Sequence, residues 1–203
     1  CYFCSLNKLK LSIFFDNFNI IKNIIMSDLK NKTVAILAAE GYEQSELESP
    51  MEALQKAGAK IQIISLKAGE IKAMKDHEWS NSVKVDKIVS ESKVEDYDAL
   101  LLPGGVINPD ELRGNEDAVN FVKGFFKANK PVAAICHAPQ TLINAEVVSG
   151  KKMTSYPSIK IDLKNAGANW VDKEVVTDGN LTTSRSPEDL PAFNQRIIEE
   201  FSK

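Results

Sequence analysis

Short runs of consecutive apolar residues alternate along this chain with stretches whose apolar positions recur at helical spacing. Thr33-Val34-Ala35-Ile36-Leu37-Ala38-Ala39 is compact, partly β-branched and ends in a polar turn, the pattern of a strand buried on both faces. Residues 45–57 then place Leu47, Met51, Leu54 and Ala57 on one helical stripe with Gly58 as the stop, and Pro50 is expected in the first turn or at a kink. Residues 60–66 return as a strand, which completes a βαβ start. Residues 67–95 carry a weaker pattern, in which Val83-Lys84-Val85-Asp86 alternates as an edge or hairpin strand would. Residues 98–102 form another buried run, closed by Pro103-Gly104-Gly105, and a helix is expected over 115–128. Residues 131–136 give a further strand, followed by a helix from 137–139 to 145, a strand over 151–155 and a helix over 158–166. Two strands flank the hairpin turn Asp178-Gly179-Asn180. The last helix is announced by Ser186 as N-cap, Pro187 in its first turn, and Glu188 and Asp189 at the positive end of its dipole. The pattern predicts a single α/β sandwich around a mainly parallel sheet.

Residues 1–25 fall outside this rhythm. Asp16, Asn17, Asn19, Lys22 and Asn23 interrupt what would have to be a continuous apolar segment for a signal peptide or a membrane span. The reading is a non-native or disordered extension, with residues 26–203 as one domain and Met26 as a natural start. Across 203 residues, 43% hydrophobic and 26% charged describe an ordinary globular protein able to bury a core without disulfides or a metal. A net charge of −3 with no Lys/Arg run excludes an electrostatic footprint for nucleic acid. Three cysteines, two of them in the extension, make no disulfide framework and point to a reducing, cytoplasmic setting. Two histidines and one body cysteine give no zinc spacing, and neither a P-loop nor a G-x-G-x-x-G is present, so no metal or cofactor is expected.

Parallel sheets bind ligands at the carboxyl ends of their strands. Three such ends carry chemistry: Glu40, Glu43 and Glu46 after the first strand, Gly104 and Gly105 after the third, and Cys136 with His137 after the fourth. Ala134-Ile135-Cys136-His137-Ala138 has the small-x-nucleophile-x-small form of a nucleophile elbow, where small flanks let a strand-to-helix turn close. A thiol at such a turn is expected to be stabilised as thiolate by the following helix N-terminus. A buried structural cysteine is the alternative. His137 serves as base only if the elbow's irregular backbone brings its ring to the thiol; otherwise its backbone N–H matters more than its ring. Gly104 and Gly105 offer two N–H groups for an oxyanion, although a PGG turn alone is weak evidence. The three glutamates read by default as a solvated face, with one of them a candidate for burial against the thiol. Asp76-His77-Glu78-Trp79 reads as a loop or edge feature in which His77 is the candidate for substrate contact.

Ala134-Ile135-Cys136-His137-Ala138-Pro139, taken with Leu101-Leu102-Pro103-Gly104-Gly105, resembles the PfpI family of the class I glutamine amidotransferase-like superfamily. The likeness extends through residues 37–58, 154–159, 164–172 and 183–191, and covers nearly all of 32–203. It implies a flavodoxin-like three-layer sandwich with a reactive Cys136 at the elbow, Glu46 as the glutamate near the thiol, and Asp110 as an acid lent by a neighbouring subunit to complete a Cys-His-acid triad. A homo-oligomer, dimer or higher, follows from that last role. Relatives commonly carry Glu at the Asp110 position and Gly at the Ala138 position. Members are variously intracellular peptidases, deglycases that remove methylglyoxal or glyoxal adducts, glutathione-independent glyoxalases, and general stress proteins. The chemistry favours a deglycase in stress protection, acting on small carbonyl adducts, with Cys136 as nucleophile, Gly104, Gly105 and His137 N–H groups as oxyanion donors and Glu46 as proton shuttle. The alternatives are an intracellular cysteine peptidase acting on peptides, and a redox sensor or holdase using Cys136 without turnover.

Overall fold

The structure, a computed structural model, describes residues 29–203. The expectations for residues 1–25, including those for Cys1 and Cys4, lie outside the described residues. In chain order the strands are β1 Thr33–Leu37, β2 Tyr42–Glu43, β3 Lys60–Ser65, β4 Glu70–Lys75, β5 Glu78–Lys84, β6 Lys87–Ile88, β7 Ala99–Leu102, β8 Val132–Ile135, β9 Lys152–Met153, β10 Asn169–Trp170, β11 Val175–Asp178 and β12 Leu181–Ser184. The α-helices are α1 Gln44–Lys56, α2 Ile107–Arg113, α3 Glu116–Lys127, α4 Pro139–Asn144, α5 Lys160–Asn165 and α6 Leu190–Phe201. Seven strands form the central sheet in the order β11-β12-β8-β7-β1-β3-β6, parallel throughout except for the β11–β12 hairpin at one edge.

The sheet is buried on both faces because successive residues of its strands feed different cores. Ala35 and Leu37, Leu100 and Leu102, and Val132 and Ala134 pack on one side with Phe121, Val122 and Phe125 of α3 and Leu142 of α4. Val34 and Ile36, Ala99 and Leu101, and Ala133 and Ile135 pack on the other with Leu47 and Leu54 of α1 and Phe193, Ile197 and Phe201 of α6. Two-face burial is what the continuous apolar runs predict, and each fully buried Leu, Ile or Phe contributes about 1.5–3 kcal/mol. The result is the three-layer α/β sandwich expected.

Several local expectations are corrected. The weakly patterned 67–95 region holds β4 and β5, which form an antiparallel hairpin and, with β2, a separate three-stranded sheet. Residues 151–155 contribute only a two-residue strand, paired with β10 outside the main sheet. The predicted 158–166 helix is a 3₁₀ turn, Pro157–Ile159, running into α5. Ser186 makes no capping side-chain bond; one 3₁₀ turn, Pro187–Asp189, precedes α6. Helix α1 begins at Gln44, so Pro50 lies inside it and leaves the Glu46 carbonyl without its i+4 donor. α2, which the pattern does not announce, follows the PGG turn directly.

The chain leaves β1 to pair β3 on one side and later returns to pair β7 on the other. The carboxyl ends of β1 and β7 therefore diverge into different connections, the arrangement that opens a crevice in a parallel sheet.

Candidate active site

At the end of β8 the backbone turns sharply, with Cys136 at φ 63°, a left-handed conformation uncommon for a residue with a side chain. Three backbone bonds hold the strained turn: Cys136 N–H donates to Ser184 O at 3.1 Å, Ala138 N–H to Ile135 O at 3.0 Å, and Tyr156 N–H to Cys136 O at 2.9 Å. This is the elbow geometry. Ala138 occupies ordinary right-handed backbone at φ −51°, and its methyl joins the core beneath α4. The methyl therefore leaves the turn unobstructed, and the position does not require the glycine common among relatives.

Opposite the thiol, the PGG turn and α1 are tied together. Gly104 N–H donates to Glu46 Oε2 at 2.9 Å. A side chain at Gly104 would place its Cβ 2.5 Å from Glu46 Oε2, 2.6 Å from Cys136 Cβ and 2.8 Å from Ile135 O, so only glycine fits there. A Cβ added at Gly105, which sits at φ 86°, would come as close, 2.5 Å from Gly41 O. Asn108 of α2, fully buried, clasps the whole junction: its Oδ1 accepts from Ala39 N–H at 2.7 Å while its Nδ2 donates to Pro103 O at 2.7 Å and Gly104 O at 3.0 Å. Nothing in the local pattern singles out Asn108, because its partners lie on two separate strand ends.

The expectation of Gly104 as an oxyanion donor is corrected, since its N–H is committed to Glu46. The backbone N–H groups of Gly105 and His137 lie near enough to the sulfur to lower the thiol pKa. The enclosure of Cys136 works against the stabilised thiolate that the elbow alone would favour. Cys136 is 6% exposed, and burial together with the neighbouring Glu46 carboxyl pushes the thiol pKa well above its ordinary value, outweighing the two N–H groups that lower it. The helix after the elbow is only six residues long. Glu46 itself is fully buried, and desolvation raises its pKa from 4.5 to about 8 despite the lowering influence of the neighbouring thiol and the Gly104 hydrogen bond. Its second oxygen, Oε1, has no partner among the described residues.

His137 does turn its ring back to the thiol, with Nδ1 3.1 Å from Cys136 Sγ. Its Nε2 lies 3.1 Å from Ser158 Oγ, and its ring stacks on Tyr156 with centroids 4.6 Å apart. Desolvation lowers its pKa, which favours the neutral imidazole that a general base requires.

A cavity of about 780 Å³ opens over the thiol, lined among others by Glu46, Gly105, Ile107, Cys136, His137 and His77. His77 reaches it from the tip of the β4–β5 hairpin, where Asp76 and His77 both hold positive φ, 51° and 67°. The other candidates disperse. Glu40 accepts from Lys72 N–H at 2.7 Å and pairs with Lys67 at 3.3 Å, a structural tie. Glu43 lines the cavity with its carboxylate accepting from Ser45 Oγ at 3.2 Å. Asp110 is exposed on α2, is paired with Arg113 at 2.6 Å and is not part of the cavity wall. Among the described residues no cluster of three or more His, Cys, Asp or Glu is disposed to hold a metal, and no helix is long and apolar enough to cross a membrane.

Residues 32–200 match the DJ-1/PfpI family. The chain is 46% identical over 169 residues, covering 83% of itself and 96% of the relative, to protein/nucleic acid deglycase 2 of Escherichia coli. It is 42% identical over 173 residues, 85% of itself and 99% of the relative, to general stress protein 18 of Bacillus subtilis. The crystal structure of Drosophila melanogaster DJ-1beta superposes with a TM-score of 0.77 at 32% identity, over 84% of this chain and 90% of that one. With a strained cysteine elbow at the end of a doubly covered parallel sheet and likeness along nearly the whole domain, the chain belongs to the DJ-1/PfpI family.

Proposed function

We propose that this chain is a cysteine-dependent deglycase that acts on methylglyoxal or glyoxal adducts of amines. The observation that carries the reading is the pairing of a buried thiol with a buried carboxyl whose pKa, about 8, puts both its acid and its base form within reach near neutral pH. Relatives named as deglycases support the same class, and one named as a general stress protein fits a role in stress.

The chemistry follows from the placement of the groups. His137 Nδ1 takes the thiol proton as Sγ bonds to the aldehyde-level carbon of the adduct; the carbon–nitrogen bond breaks and the amine leaves with that proton. The hemithioacetal oxygen faces the N–H groups of Gly105 and His137. Glu46, through Oε1, takes the hydrogen on the thiol-bearing carbon as a proton and returns it to the neighbouring carbon, while water carries the hydroxyl proton from the first carbon's oxygen to the second's; the first carbon is thereby oxidised and the second reduced. Water then cleaves the thioester, releasing lactate from a methylglyoxal adduct and restoring the thiol. Every proton in this sequence passes through Cys136, His137, Glu46 or water. The triad acid inferred from family likeness, Asp110, would have to leave Arg113 and reach the site from a second copy of the chain.

The test is lactate release from free methylglyoxal and from preformed adducts of N-acetylated amino acids, by the native chain and by Cys136→Ala. Thiol-dependent release from the adduct faster than its spontaneous reversal is the expected result. Release that only tracks free methylglyoxal would make the protein a glyoxalase. No lactate, with Cys136-dependent cleavage of peptides, would make it a peptidase.

A further inference from the structure

The imidazole of His137 makes three contacts within its chain. Nδ1 meets Cys136 Sγ, the ring face meets Tyr156, and Nε2 meets Ser158 Oγ. A histidine that is to receive a thiol proton on Nδ1 must carry its own proton on Nε2, and that tautomer is set by whatever accepts the Nε2 proton. A carboxylate is the usual acceptor. Asp110, the acid implied by family likeness, lies elsewhere in the protomer with its carboxylate on Arg113.

We infer that Ser158 is the positioning residue that fixes His137 as its Nε2–H tautomer and so turns Nδ1 toward the Cys136 thiol. The assignment rests on the cysteine-nucleophile reading of the site and makes the third member of the Cys-His pair a hydroxyl from the same chain.

Two observations support it. First, Ser158 is exposed but not loose. The segment that carries it is fastened to the elbow through Tyr156 N–H to Cys136 O at 2.9 Å and to β12 through Thr154 N–H to Thr183 Oγ1 at 2.9 Å. Trp170 Nε1 donates to Ser155 Oγ at 3.0 Å, and that hydroxyl donates to Tyr156 O at 2.9 Å. Ser158 opens from a 3₁₀ turn at the end of this braced stretch. Second, a hydroxyl suits the neutral site that burial produces. It accepts from Nε2–H while His137 is neutral and continues to accept when His137 becomes an imidazolium, and its own proton faces water. It adds no negative charge beside a thiol that already faces the Glu46 carboxyl. Hydrogen bonds run from Cys136 through His137 to Ser158, which stands exposed at the surface.

The experiment uses the full chain with Ser158→Ala and Ser158→Thr. Three quantities are read: ¹⁵N chemical shifts of the His137 ring, the rate of Cys136 alkylation by iodoacetamide, and kcat and KM for lactate release from a methylglyoxal adduct. The expected result is an Nε2–H ring in the native chain. Ser158→Ala should give a mixed tautomer, with alkylation and kcat reduced about tenfold and KM unchanged, because water replaces the hydroxyl only in part. Ser158→Thr should restore the native values. An Nδ1–H ring in the native chain, or alkylation by Ser158→Ala at the native rate, overturns the assignment. Alkylation requires no substrate, so a native chain that releases no lactate but shows the Ala loss and the Thr rescue keeps Ser158 in its role while the deglycase reading fails.

Discussion

The two walls of the cavity are built on opposite principles. On the elbow side, Cys136, His137, Gly104, Gly105 and Glu46 sit on strand ends and the first turns of helices, with Asn108 binding β1 to the PGG turn. On the other side, His77 is presented by the tip of a hairpin in a small accessory sheet, next to a half-exposed Trp79. Both walls hold residues at positive φ, Cys136 at 63° and His77 at 67°. Around Cys136 the strain is locked by a network of backbone and carboxyl hydrogen bonds, so a thiol can be kept dry and fixed. Around His77 it is carried by a two-residue turn in solvent, where departures are cheap. Rigid geometry is needed where bonds are made, and an adaptable surface suffices where substrates are chosen.

This division is broken most severely at Gly104. Gly104→Ala should cost on the order of 3 kcal/mol or more of stability, because its Cβ would overlap Cys136, Glu46 and a backbone carbonyl at once; denaturant unfolding measures it. Cys136→Ala should fold normally yet lower lactate release by about a thousandfold or more, read by turnover on a preformed adduct.

Glu46→Gln tests the buried carboxyl in two directions. The amide still accepts from Gly104 N–H, but it cannot move a proton, so kcat should fall about a hundredfold. In the native chain kcat should rise with pH toward about 8 as the carboxylate forms, and this rise should vanish in the variant. The stability effect has the opposite sign. Because the folded pKa of Glu46 is raised, its protonation stabilises the fold fully below about 4.5, and that contribution is lost as pH climbs through about 8. Glu46→Gln should therefore unfold at higher denaturant than the native chain at pH 9 by roughly 2–4 kcal/mol, with the gain shrinking as pH falls.

The hairpin wall should respond least. His77→Gly relieves a positive φ and should leave stability unchanged or raise it by about 0.5–1 kcal/mol. Its kinetic effect should be a several-fold rise in KM with kcat preserved. A loss of kcat equal to that of Glu46→Gln would place chemistry on the hairpin and erase the distinction between the walls.

The same contrast separates what was legible in the chain from what was not. β1, β7 and β8 were readable because each is a continuous apolar run, and burial on two faces leaves no other reading for such a run between polar turns. The elbow was readable because small residues flank Cys136 at the end of one of these runs. β4 and β5 were harder, since an accessory hairpin with one wet face mixes lysines and glutamates among a few apolar positions. α2 escaped because its seven residues are too few for a periodic stripe, and Asn108 because its three bonds join strand ends far apart in sequence.

What the sequence determined by itself is the alternation of its main strands and helices, the two-faced sheet and the small-flanked elbow at Cys136, because hydrophobic periodicity and turn chemistry are local properties. Which groups surround Cys136, and how burial shifts their acidity, only the tertiary structure decided. Gly104 N–H anchors the Glu46 carboxyl rather than an oxyanion because α1 brings Glu46 against it. The burial of Cys136 beside Glu46 works against the thiolate that the elbow alone would favour. Desolvation and hydrogen bonding depend on what arrives from distant parts of the chain, and no pattern along the sequence encodes that arrival.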